Sequence, residues 1–182
     1  QGSAKKNFNN HPFLGHVKGE SFALAHNGVI WNDLELRRTK HLPRTKVQTD
    51  SYIAVQLIER QNALNLSSLK CMAEQVEGSF SFSVLSEQDE LWLVKGDNPL
   101  TIVHYPAAGV YVYASTAEIL NKALARCGNW IGRGEKVDIA MGDIVKIDRK
   151  GRITRGTFDA SKLYRSSWGY WDTSLYPKVP HS

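Results

Sequence analysis

Cysteine is nearly absent from this 182-residue chain, which holds only Cys71 and Cys127. Two cysteines form at most one bridge, so no disulfide framework holds the fold, and a reducing cytoplasm is the expected compartment. Long apolar runs are lacking as well. No stretch approaches the roughly 20 consecutive apolar residues that a bilayer span requires. No basic segment leads into an apolar one in the manner of a secretory signal, so a membrane is not an expected partner. Signatures of phosphate and dinucleotide binding are missing, and Gly132-Arg133-Gly134 is too short to stand for either. There is no Gly-x-Ser-x-Gly elbow. There is also no Cys-x-x-Cys and no His-Glu-x-x-His, and the six histidines (His11, His16, His26, His41, His104 and His181) are scattered. No metal and no cofactor are expected.

What is present is ordinary globular material: 42% apolar residues, 10% aromatics and 23% charged residues. A length of 182 residues fits one domain. The net charge is +5 and the pI about 9.2. Arg37, Arg38, Lys40, Arg44 and Lys46 lie in a stretch with no acid. A solvated basic loop is the plainer reading of that run. No stacking aromatics or glycine-rich turn accompany it, so nucleic acid is not an expected partner.

The pattern changes period along the chain. Residues 22–26 read as a short buried strand, Asn27-Gly28 as a hairpin turn tolerant of positive φ, and 29–31 as the return strand. A short helix is expected over 33–38. Thr49 is expected to cap a helix running to about Asn62, with Ile53, Leu57 and Ile58 inward. Ser67 is expected to cap the next, in which Leu69, Met72, Ala73 and Val76 share a face and Gly78 is the stop. Phe80, Phe82 and Val84 alternate with serines as in a half-buried strand. Further strands are expected near 90–95, 100–105, 109–114, 142–148 and 152–158. A capping box at Ser115-Thr116-Ala117-Glu118 is expected to open a helix through Ile119, Leu120, Ala123 and Leu124. Short turns between strands predict antiparallel sheets, and helices segregated from strands predict an α+β fold.

Neither cysteine reads as an activated nucleophile. Cys71 fits a small core residue on a helix. Cys127 follows a helix C-terminus, where the dipole raises a thiol pKa.

Several short pieces stand out in order: Asn10-His11-Pro12-Phe13, His26-Asn27-Gly28-Val29-Ile30-Trp31-Asn32, Thr49-Asp50-Ser51, Gly78-Ser79-Phe80-Ser81-Phe82, Val94-Lys95-Gly96-Asp97-Asn98-Pro99-Leu100 and Tyr113-Ala114-Ser115-Thr116. From residue 9 to about 150, this chain resembles the glutaminase domain of class II glutamine amidotransferases. The resemblance implies the N-terminal-nucleophile hydrolase architecture, a four-layer αββα sandwich of antiparallel sheets, with the N-terminal strands missing from this chain. After Asp159 the chain is rich in Tyr, Trp and Ser with no clear period, so a domain over 1–158 and a C-terminal tail over 159–182, or the start of another segment, are expected. The resemblance implies hydrolysis of the L-glutamine side-chain amide to glutamate and ammonia, and transfer of the ammonia to an acceptor domain or subunit. Asn27 and Gly28 match the oxyanion donors, for which a side-chain amide and a closely approaching backbone N–H are suited. Asp50 matches the acid that holds the α-ammonium of glutamine; as a bare residue it reads rather as a helix-start acid stabilised by the dipole. His11 matches a position near the substrate, and a structural loop histidine is the other reading.

The nucleophile of this family is an N-terminal Cys whose own α-amine is the base. Here residue 1 is Gln and no Cys precedes Asn27. The Arg-bearing R-x-x-T segment is absent too. The chain is therefore expected to be N-terminally incomplete, because a sheet without its opening strands exposes unpaired edges and apolar faces. Chemistry by this polypeptide alone is not expected. A catalytically inactive glutaminase-like binding or regulatory module is the alternative. The acceptor and the oligomeric state are not legible.

Overall fold

The fold is organised around one long strand, β2 (Glu20–Ile30), whose even-numbered residues Phe22, Leu24 and His26 are buried. In this computed structural model the residues described are 3, 5–126 and 131–163. β1 (Phe13–Val17) pairs with β2 on one side. β3 (Gly78–Ser86) pairs on the other, with His26 opposite Phe82 and Gly28 opposite Phe80. The sheet continues through β4 (Leu91–Lys95), β8 (Asp143–Ile147) and β9 (Ile153–Thr157), in the order β1-β2-β3-β4-β8-β9. A second sheet, β6-β5-β7, is built from β5 (Thr101–Tyr105), β6 (Val110–Ala114) and β7 (Glu135–Val137). Every pairing is antiparallel, as the short connections predict; β7 is a strand the sequence pattern did not reveal.

Three helices lie between β2 and β3 in the chain: α1 (Asp33–Thr39), α2 (Tyr52–Gln61) and α3 (Leu66–Ala73). Their apolar faces, including Ile53, Leu57, Ile58, Leu69 and Met72, form the main core with Phe22, Leu24, Phe80, Phe82, Trp92 and Ile144 of the first sheet. Phe158 and Leu163 close this core from the C-terminal side. α2 approaches β1 closely at Gly15, where an added Cβ would lie 2.7 Å from Val55 and run into the Phe22 ring. The other face of β4 and β8 presents Leu93, Val145 and Ile147 to Ile102 and Val137 of the second sheet, which forms a separate core. Alternation along β4, with Trp92 and Val94 one way and Leu93 the other, lets one strand serve both cores. α4 (Ala117–Leu124) follows β6 and buries Leu120.

Among the described residues, the second sheet covers β4 and β8 and leaves part of the outer face of β1–β3 exposed. Leu14 is 64% exposed and Leu85 54%. β6 is the end strand of its sheet.

The helix starts differ from expectation in instructive ways. α2 begins after Ser51 with no side-chain cap. Thr49 does not cap it, and its hydroxyl is buried with no partner among the described residues; Ser51 turns its hydroxyl to His26 instead, at 2.8 Å. α3 is capped by Asn65, not Ser67, in a reciprocal box with Ser68. It ends at Ala73, so Gly78 is no helix stop and opens β3. α4 is capped by Thr116, which bonds Ile119 N, one residue past the expected box, and Ile119 is 53% exposed.

Candidate active site

Asn27-Gly28 is not a hairpin turn. The chain runs straight through it as β2, and both residues pair with β3. Positive φ is nevertheless real: Gly28 has φ 143. A Cβ at Gly28 would overlap the Ser79 carbonyl and lie 2.8 Å from Asn98 Nδ2. The glycine is therefore required by close backbone approach inside a strand, which has the same local signature as a turn.

Four groups converge on this end of β2. Asn27 is exposed and borders a pocket of about 140 Å³ that Ser81, Tyr113 and Ser115 also line. Asp50, just ahead of α2, accepts the Ile30 N–H on Oδ2 at 2.7 Å, two residues beyond Gly28. His26, 8% exposed, holds Ser51 Oγ through Nδ1 at 2.8 Å, while its Nε2 has no hydrogen-bond partner among the described residues. The His11 ring stands 6.5 Å from the His26 ring, edge to face, and 4.8 Å from the Phe13 ring. The α2 N-terminus thus grips β2 twice, through Asp50 and through Ser51.

Burial pushes the His26 imidazole down to about 4, against the opposing pull of the Asp50 carboxylate and the Ser79 backbone. His11 is lowered by the same cause, with Asp50 again opposing. Burial thus favours the neutral form of both rings beside the Asp50 carboxylate. That arrangement suits a ligand carrying a cationic group beside a polarisable carbonyl. Among the described residues no group of three or more His, Cys, Asp or Glu is placed to hold a metal ion, and no helix is long and apolar enough to cross a membrane.

The family model for the glutamine amidotransferase domain matches residues 4–122, well over half of the chain. The chain belongs to the glutamine amidotransferase domain family. Among relatives, the glutamine–fructose-6-phosphate aminotransferase [isomerizing] of Streptococcus agalactiae is 36% identical over 104 residues, or 52% of this chain and 16% of that protein. The amidophosphoribosyltransferase of Methanothermobacter thermautotrophicus is 29% identical over 146 residues, or 78% of this chain and 29% of that protein. The matched region thus spans less than a third of each relative's length. The glutamine phosphoribosylpyrophosphate amidotransferase of B. subtilis, solved with ADP and GMP, superposes with a TM-score of 0.68 at 22% identity, covering 87% of this chain and 34% of that one. The α+β architecture with antiparallel sheets is that of the class II, N-terminal-nucleophile amidotransferases.

Within this glutamine amidotransferase domain, Asn27, Gly28, Asp50 and His11 all fall at one end of β2, although they come from three separated segments. Sequence reasoning missed the residues that hold them there. His26 and Ser51 are 25 positions apart, and Asn98 is 71 from Asn27. Cys71 lies on α3 with Sγ 3.2 Å from Gln75 Nε2, and Cys127 falls outside the described residues.

Proposed function

We propose that the intact protein hydrolyses the side-chain amide of L-glutamine and delivers the ammonia to an acceptor site outside these 182 residues. The observation that carries this reading is the Asn27-Gly28 pair, with Gly28 at positive φ against β3 and Asp50 bonded to the same strand two residues on. Asn27 Nδ2 and the Gly28 N–H would bind the oxyanion that forms when a thiolate adds to the amide carbon. Asp50 would hold the α-ammonium, and His11 would border the bound glutamine. The carbon–nitrogen bond then breaks, ammonia leaves, and water hydrolyses the γ-glutamyl thioester to glutamate. We assign the nucleophile to an N-terminal Cys on a preceding segment, whose α-amine takes the thiol proton. We keep 1–158 as the domain and 159–182 as its tail, with Leu163 of the tail anchored in the main core. The small share of each relative that this chain matches supports an acceptor domain or subunit elsewhere.

The test is glutamate and ammonia release from glutamine by the intact protein. Asn27→Ala should lower kcat by about 10²–10³, the usual cost of one oxyanion donor. Turnover equal to wild type in that variant would overturn the assignment.

A further inference from the structure

Asn98 belongs to the turn after β4 and makes no part of the proposed substrate contacts, yet its side chain is placed against the oxyanion peptide. Its Nδ2 donates to the Asn27 carbonyl at 2.7 Å. Its Oδ1 accepts the Ser79 hydroxyl at 2.7 Å. A carbonyl can only accept, so the first bond fixes which end of the Asn98 amide faces β2, and the second locks it. The neighbouring Asp97 takes the N–H of Phe80, the register partner of Gly28, on Oδ1 at 2.9 Å. The 97–98 turn thus engages both strands at the Gly28 position.

The Asn27 carbonyl and the Gly28 N–H belong to one planar trans peptide. Holding the oxygen therefore sets the direction of the N–H on its far side. A hydrogen bond to the oxygen also polarises the amide and strengthens its N–H as a donor. Gly28, with φ 143 and no side chain, has little intrinsic preference to keep that plane in place. The plane must be held from outside, and Asn98 is the side chain that does so.

We infer that Asn98, locked by Ser79, is a positioning residue that orients the Gly28 N–H for oxyanion binding. This rests on the glutaminase reading above. The experiment uses the intact protein with Asn98→Ala, Asn98→Asp and Ser79→Ala. Asn98→Asp keeps the shape but cannot donate, and sets a carboxylate against the Asn27 carbonyl. Both Asn98 variants should lose about tenfold or more in kcat, with the KM for glutamine within about twofold of wild type. Ser79→Ala, which frees the lock but leaves the donor, should lose less. Amide NMR supplies the readout independent of turnover. The Gly28 N–H resonance should shift in the Asn98 variants, because the polarising bond to the Asn27 carbonyl is lost, while that of Leu24, on the same strand, stays in place. Wild-type kcat, or a raised KM with kcat intact, overturns the inference. Equal shifts at Leu24 and Gly28 mark general loosening and overturn it as well. If the wild-type protein releases no glutamate, the glutaminase reading falls. An unchanged Gly28 resonance in the variants then overturns the clamp, and a shift confined to Gly28 upholds it.

Discussion

Asp50 binds the backbone of β2 through one carboxylate oxygen, so its position is fixed before any ligand arrives. Asp50→Asn keeps an acceptor for the Ile30 N–H but removes the charge. A hydrogen bond to a charged group contributes about 1.5–3 kcal/mol, so the glutamine KM should rise about 10–100-fold with a smaller change in kcat. Steady-state kinetics on the intact protein check this, and an unaltered KM removes Asp50 from the substrate site. His26 gives a pH prediction. Its folded pKa of about 4 lies below the free value of 6.5. Between those values the unfolded chain binds more protons than the folded one, so stability rises with pH through that window and is lost on acidification. His11 adds a contribution of the same sign. The full His26 shift corresponds to about 3 kcal/mol at most. Denaturant midpoints measured from pH 4 to 7 should climb in the wild type and climb less in His26→Gln; parallel profiles would exclude His26 as the source. At this scale the sequence was a partial guide. Asn27, Gly28, Asp50 and His11 could be singled out as candidates because each sits in a short recognisable piece, and their closeness in space could not be read from it. The Asn27-Gly28 dipeptide was misread as a turn because positive φ is a local property, whereas the carbonyl that demands the glycine belongs to Ser79 of another strand. His26, Ser51 and Asn98 acquire their roles from partners far away in sequence, and no local pattern announces that.

The elements that hold these residues were legible wherever one face is buried and the other is not. Phe80, Phe82 and Val84 announce β3 because alternate positions meet the helix layer. β7 was not legible, because a strand of three residues with only Val137 buried carries too little periodicity. Helix starts shifted where a side chain found a better partner, as when Ser51 turned to His26. The close contact of α2 with β1 yields a direct stability test. Gly15→Ala must displace the Phe22 ring or Val55, which face it from two different elements. Overpacking of this kind costs about 1–3 kcal/mol. Equilibrium unfolding should show that loss, and wild-type stability would mean that α2 is free to shift. Since α2 also carries Asp50 and Ser51 at its start, the same substitution should weaken glutamine binding without touching the site.

At the scale of the molecule, the two sheets are offset. The second covers β4 and β8, and among the described residues part of the outer face of β1–β3 lies exposed, beside a β6 that ends its own sheet. Leu14 and Leu85 stand out on that face, and the candidate pocket opens onto its neighbourhood, lined by Ala25 and Tyr113. An apolar face next to an unpaired strand edge is a surface on which a second copy can settle. The net charge of +5 opposes such pairing at low ionic strength, and salt screens that opposition. Sedimentation velocity on the 182-residue polypeptide should therefore show a mass above 20.4 kDa that grows with protein concentration and with added salt. A single species of 20.4 kDa across both series would show that the face is protected. Copies that associate there occlude the pocket as well as one another, so on the proposed glutaminase reading the apparent glutamine affinity of a concentrated sample should fall, and dilution should restore it.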